Sequence, residues 1–258
     1  MLADPGDELS SMMIHIHRRE KVLEIVIDRT LKRNALNAEM YENLTQAFND
    51  VNSEEDSSVV LIRAKGDYFC AGQDVNQLAS SASPLPLRDR AVFHFMRSVL
   101  SCERPIVAAV QGPAIGIGAT MLMHFDFLYV ADDAWLSFPF STLGLSPEFG
   151  ASVLLSKLAG TGTAARALLL GEKVNAQQMV SCGWAAGSGA PETIQAAANA
   201  AAIRLAGLSK SAVRATRSLM RERSNAVSEE LLIRELEVLE SLRSTPEHHV
   251  AMEAWRKR

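Results

Sequence analysis

The chain has 258 residues, 48% of them hydrophobic and 22% charged, enough to bury a large core in one domain with a satellite or in two small ones. A formal net charge of −4 at pH 7 excludes the overall basic footprint of a nucleic-acid binder. Three widely spread cysteines (Cys70, Cys102 and Cys182), with no Cys-x-x-Cys pair, argue against a disulfide scaffold or a zinc site and for a reducing compartment. Residues 1–11 are acidic and polar and read as a disordered leader, without the basic-then-apolar order of a signal peptide. No apolar run is long enough to cross a bilayer, and the terminal Trp-Arg-Lys-Arg is not an SKL-type address, so a cytoplasmic protein is expected.

In chain order, residues 13–18 alternate (Ile14 and Ile16 against His15 and His17) and residues 22–28 are rich in β-branched side chains, which predicts a pair of strands. Residues 36–51 carry helical spacing through Met40, Leu44, Phe48 and Val51. The apolar run 59–64 is a buried strand entering the loop Lys65-Gly-Asp-Tyr-Phe-Cys-Ala-Gly-Gln-Asp74. A helix from about 87 to 102 follows, then a strand over 106–111 that leads into Gly112-Pro-Ala-Ile-Gly-Ile-Gly118. Residues 125–131 and 135–138 read as two more strands. From 151 onward the pattern is helical throughout, with breaks at 160–162, 183–191 and near Ser209. Strands alternating with helices predict an α/β core sheet covered by helices over residues 12–200, followed by a helical module over 201–258.

Two loops carry the candidate chemistry. Small residues at 70–72 let backbone approach a ligand, Gly72 permits angles that other residues resist, and Asp74 is placed to cap a following helix. Taken alone, this loop reads equally well as a tight strand-to-helix turn with no ligand. The second loop spaces its glycines at 112, 116 and 118, which is neither a dinucleotide fingerprint nor a P-loop. Its amides suit a developing oxyanion or a phosphate, and its glycines equally suit close helix–strand packing.

Taken together and in this order, the blocks resemble a known family. Arg33-Asn-Ala-Leu-Asn37, Phe69-Cys-Ala-Gly-Gln-Asp-Val75, Ala109-Val-Gln-Gly-Pro-Ala-Ile-Gly-Ile-Gly118 and Phe138-Pro-Phe-Ser-Thr-Leu-Gly-Leu-Ser-Pro-Glu148 match those of the crotonase (enoyl-CoA hydratase/isomerase) superfamily at family spacing, over roughly residues 13–221. The resemblance implies a crotonase-like spiral of repeated ββα units with a helical C-terminal module, assembled as a homotrimer or a dimer of trimers. It implies an acyl-CoA thioester as substrate, with coenzyme A part of that substrate and no separate cofactor or metal.

Carried over residue by residue, the thioester oxygen would be held by the backbone N–H groups of Gln73 and Ile117, the family's usual glycine being replaced at Ile117. Coenzyme A would lie along Arg33, and with it Lys32, for the phosphates, and along Ala35, Ala71, Gly72, Asp74, Val75 and Gly116. Family hydratases use two glutamates, at positions that here hold Thr120 and Phe140. Glu148, after Ser-Pro, resembles the catalytic base of peroxisomal-type Δ3,Δ2-enoyl-CoA isomerases, and apolar neighbours (Phe138, Phe140, Leu145, Phe149) would raise its pKa. Without the family match, Pro147-Glu148 reads as an acidic helix start. Another acyl-CoA reaction at the same amides, or a non-catalytic thioester-binding protein, are the alternatives. His15 and His17 read as surface residues, and His94 lies in the neighbourhood where dehalogenases of the superfamily place a histidine base, with an aspartate nucleophile on the other wall. His124 and Asp126 read as structural. Cys70 has no partner base, and the Leu231, Leu232, Leu236, Leu239 and Leu242 stripe reads as core packing.

Overall fold

The computed structural model describes residues 13–54, 57–74, 85–222 and 227–256. Strand β1 (Ile14–Arg19) pairs antiparallel with β2 (Val22–Ile27) through a two-residue turn, Glu20 and Lys21, both at positive φ. From β2 the sheet is parallel through β3 (Val59–Ala64), β4 (Ile106–Val110), β6 (Phe127–Ala131) and β9 (Gly187–Gly189). Strands β3 and β4 are buried on both faces, which is why they read as unbroken apolar runs rather than alternations. A second, three-stranded sheet joins β5 (Ala114–Ile115), β7 (Trp135–Ser137) and β8 (Val174–Asn175).

Helices cover this core. The Asn37 side chain accepts from the Met40 amide and starts α1 (Ala38–Ser53), which packs on α2 (Ala91–Ser101). The one-turn helix α3 (Ile117–Thr120) passes directly into a 3-10 turn, Met121–His124. Helices α4 (Ala151–Ala159), α5 (Thr161–Leu170), α6 (Ala176–Ser181) and α7 (Pro191–Ala206) follow. Helix α7 turns Ile194, Ala198, Ala202 and Ala206 inward; three alanines at four-residue spacing let it lie close on β3, β4 and β6. The chain continues through α8 (Lys210–Glu222), α9 (Glu229–Arg243) and α10 (Pro246–Arg256). On α9, Leu232, Leu236 and Leu239 are buried. Among the described residues no helix is long and apolar enough to cross a membrane.

Three sequence expectations need correction. The helix expected over 87–102 divides into a 3-10 turn, Leu87–Asp89, and α2, because Arg90 takes an extended conformation between them. The region after residue 151 is not helical throughout: β8 and β9 interrupt it, and β9 is an edge strand of sequence Gly-Ser-Gly, with no apolar side chain to announce it. The loop after β4 contains β5, a two-residue strand too short to show a period. Val75, and the helix expected to follow Asp74, lie outside the described residues.

Candidate active site

Strands β3 and β4 are adjacent and parallel, so the loops that follow them leave the sheet at the same, carboxyl end of the strands, the usual place for a ligand in a parallel sheet. They are laced together. The Cys70 amide donates to the Pro113 carbonyl at 3.3 Å, and the Ile115 amide donates to the Cys70 carbonyl at 2.9 Å. The turn before α1 adds a third layer: the Ala71 amide donates to the Arg33 carbonyl (3.0 Å), the Leu36 amide to the Gly72 carbonyl (2.8 Å) and the Asp74 amide to the Leu36 carbonyl (2.8 Å). Buried Asn34, at φ 58, locks that turn, its amide donating to the Lys65 and Tyr68 carbonyls at 2.8 and 2.7 Å while its oxygen accepts from the Arg29 amide.

Glycine is required where these layers touch. A Cβ on Gly118 would sit 2.5 Å from the Cys70 carbonyl oxygen, and one on Gly112 only 2.0 Å from that of Asp67. Because Leu36 bonds to the residues on either side of Gln73, the N–H of Gln73 is directed away from that pairing. Among the described residues neither the Gln73 amide nor the Ile117 amide has a hydrogen-bond partner. Two free backbone donors on contacting loops can hold one partly charged oxygen.

Both loops line a cavity of about 380 Å³ that also contains Glu148, Tyr41, Phe140 and Leu145. Glu148 is buried, and among the described residues its carboxyl makes no hydrogen bond. Its pKa is pushed up to about 8, first by burial and then by the charge of Glu235. Phe149, at φ 57, and Gly150, at φ 75, form a left-handed turn that separates Glu148 from α4. That turn is held from both sides. Neutral His124, whose pKa burial lowers to about 4, stacks on the Phe149 ring and donates from Nε2 to the Phe149 carbonyl at 2.8 Å. Glu235, reaching in from α9, accepts from the Gly150 amide (2.6 Å) and from the Ser152 amide and hydroxyl (3.2 and 2.5 Å). The acid that satisfies the start of α4 is therefore Glu235, which leaves Glu148 free to face the cavity.

The model of the enoyl-CoA hydratase/isomerase family matches residues 17–258. The chain belongs to that family, within the crotonase superfamily. It is 32% identical to "Enoyl-CoA delta isomerase 2" of Rattus norvegicus over 170 residues, 64% of this chain and 42% of the rat protein. It is 35% identical to "Probable enoyl-CoA hydratase echA6" of Mycobacterium leprae over 187 residues, 71% of this chain and 74% of that protein. The chain thus spans less than half the length of the rat relative, and 32% of the human "Testis-specific chromodomain protein Y 1". The fold superposes on an enoyl-CoA hydratase/isomerase from Pseudoalteromonas atlantica T6c with a TM-score of 0.90 at 29% identity, covering 95% of this chain and 97% of that one. Pseudomonas aeruginosa OdaA gives 0.90 at 33% identity, covering 96% of this chain and all of that one.

In this member of the family, Ala71, Gly72, Gln73, Gly116, Ile117 and Glu148 line one cavity. Arg33 is exposed beside it, its guanidinium 5.3 Å from the Tyr68 ring centroid. Lys32 is exposed as well. Ala35 closes the turn, its carbonyl accepting from Arg29, and Arg29 also pairs with Asp74 at 2.6 Å. Cys70 is buried with its thiol pushed up to about 12, so it stays protonated and unreactive. His94, on α2, is not among the cavity-lining residues. Among the described residues no cluster could hold a metal ion. Sequence reasoning missed Asn34, Tyr41 and Glu235. The only sequence hint of Glu235 was an acid at a position inside the leucine stripe, and it did not say what the acid would cap.

Proposed function

We propose that the protein is an acyl-CoA enzyme that isomerises a 3-enoyl-CoA to the 2-enoyl-CoA. The reading rests on one observation: among the described residues, Glu148 is the one buried carboxylate lining the cavity, and it has no structural bond to break. The Gln73 and Ile117 amides receive the thioester oxygen. Ionised Glu148 takes a proton from C2, the electron pair delocalises through the double bond onto that oxygen, and the resulting carboxylic acid returns the proton at C4. The amides hold the charge during the interval, and each such donor is typically worth ~3–4 kcal/mol. The reaction is an internal proton transfer, so electrons balance without a redox partner.

The cavity wall beyond Glu148, with Phe140, Leu143, Leu145, Leu236, Met252 and Trp255, suits an apolar acyl chain. Arg33 meets the phosphates of coenzyme A, where its forked donors suit paired oxygens. The Ala35 and Ala71 backbone lies where the adenine would pass, with Val75 the next contact in sequence. Water addition would call for a second carboxyl, and Thr120 is fully buried while Phe140 is apolar. The chain is further inferred to work as a homotrimer or a pair of trimers.

The test is conversion of a 3-enoyl-CoA, followed by the absorbance of the conjugated thioester, for wild type and Glu148→Gln. Turnover by wild type with a loss of 100-fold or more in the variant, at ~1.4 kcal/mol per tenfold, supports the reading. Full activity in Glu148→Gln removes the base. Hydration of a 2-enoyl-CoA without isomerisation identifies a hydratase instead.

A further inference from the structure

The polar side chains in and around the cavity are mostly engaged. Glu235 holds the start of α4, and Glu240 lies between Arg90 and Arg243 at 2.8 and 2.9 Å. Tyr41 differs. It is 2% exposed and lines the cavity with Glu148, and its hydroxyl is buried without a hydrogen-bond partner among the described residues. Its ring already has a complete packing role, tilted against Phe95 with centroids 5.6 Å apart on the α1–α2 contact. Phenylalanine would serve that contact equally. An unpaired buried hydroxyl costs stability, and the fold offers no structural reason to keep it.

The hydroxyl is within electrostatic reach of the base. Burial raises the Tyr41 phenol well above its ordinary range, and the charge of ionised Glu148 raises it further. Tyr41 therefore remains a proton donor wherever Glu148 is ionised. Losing its proton places a charge on Glu148 where no described side chain donates to it, and a hydrogen bond to a desolvated carboxylate is stronger than one in water.

We propose that Tyr41 is a positioning residue for Glu148, its hydroxyl donating to the ionised carboxylate when that group stands ready to take a proton. This rests on the reading of Glu148 as the base. The other titratable groups around the pair are Glu235 behind the Glu148 turn, His124 on Phe149 and Cys70 on the Tyr41 side. Glu42, Asp89, Arg90, Glu240 and Arg243 line the cavity wall. Tyr41→Phe changes none of them.

The experiment compares wild type with Tyr41→Phe in three readouts. The Glu148 carboxyl is titrated by NMR of ¹³C-glutamate-labelled protein, with Glu148→Gln identifying its signal. Thermal unfolding and 3-enoyl-CoA kinetics are measured alongside. In Tyr41→Phe the Glu148 midpoint moves up by about one pH unit and kcat falls about tenfold with KM nearly unchanged. The thermal midpoint stays level or rises. An unmoved Glu148 midpoint overturns the proposal at any activity, and a lower thermal midpoint without a titration shift assigns the hydroxyl to the fold and overturns it as well. A shifted midpoint in a protein with no isomerase turnover supports the Tyr41–Glu148 contact while the proposed function fails.

Discussion

Glu148 is buried where its charged form is disfavoured, and this gives stability and activity opposite pH dependences. Its folded value is about 8 against an ordinary 4.5. Between these limits the native state binds a proton that the unfolded chain has released, so stability falls as pH rises from about 4.5 to about 8 and stays low above it. In the proposed reaction, proton abstraction needs the ionised form, so kcat/KM should rise through about pH 8. Glu148→Gln removes both dependences. Denaturant unfolding should show the variant close to wild type near pH 5 and more stable by roughly a few kcal/mol near pH 9. A variant less stable than wild type at pH 9 would contradict a desolvated carboxyl. Gly118 is the second sensitive residue, since Gly118→Ala drives a Cβ into Cys70 backbone and forces the two amide-bearing loops apart. Its kcat should drop about 10²-fold or more, as when one oxyanion donor is lost. The glycines could be read from the sequence because their spacing is local. Tyr41 could not, because nothing in a helical stretch indicates which hydroxyl lacks a partner.

At the scale of elements, α4 begins on a left-handed turn whose amides are capped from a distant helix. Glu235→Ala leaves the Gly150 and Ser152 amides without their acceptor in a buried site, which should cost about 1–3 kcal/mol in denaturant unfolding. Glu235→Gln keeps an acceptor and removes the charge that raises Glu148, so it should lose less stability. Its kcat/KM profile should shift to lower pH. A profile that does not move in Glu235→Gln would confine Glu235 to capping. The strands β3 and β4 and the helix α1 were legible because each is long enough to show its period and is buried as that period demands. Helix α2 began late because Arg90 breaks the helix without a proline or glycine to signal it. Strand β9 escaped because pairing with β6, rather than any side chain of its own, makes it a strand. The cap of α4 was illegible for a related reason: its acceptor is 85 positions from the amide it satisfies.

At the scale of the whole molecule, the single chain leaves apolar pairs uncovered on two helices. Leu169 and Leu170 on α5 are 69% and 64% exposed, and Leu219 and Met220 on α8 are 64% and 68% exposed. Single exposed leucines are ordinary, but neighbouring pairs on helices are the kind of surface that subunit contacts bury. Closed cyclic assembly covers such a surface on every copy at once, whereas an open contact would leave it exposed at the ends. For the proposed homotrimer or pair of trimers, light scattering coupled to size exclusion should return three or six times the 28.1 kDa of one chain, and the double variant Leu170→Glu with Leu219→Glu should return a smaller mass. A wild-type mass of one chain would remove the assembly. The Gln73 and Ile117 amides, Tyr41 and Glu148 all meet within one chain, so the dissociated variant should keep kcat within several-fold of wild type. A collapse of kcat on dissociation would mean that a neighbouring copy completes the cavity.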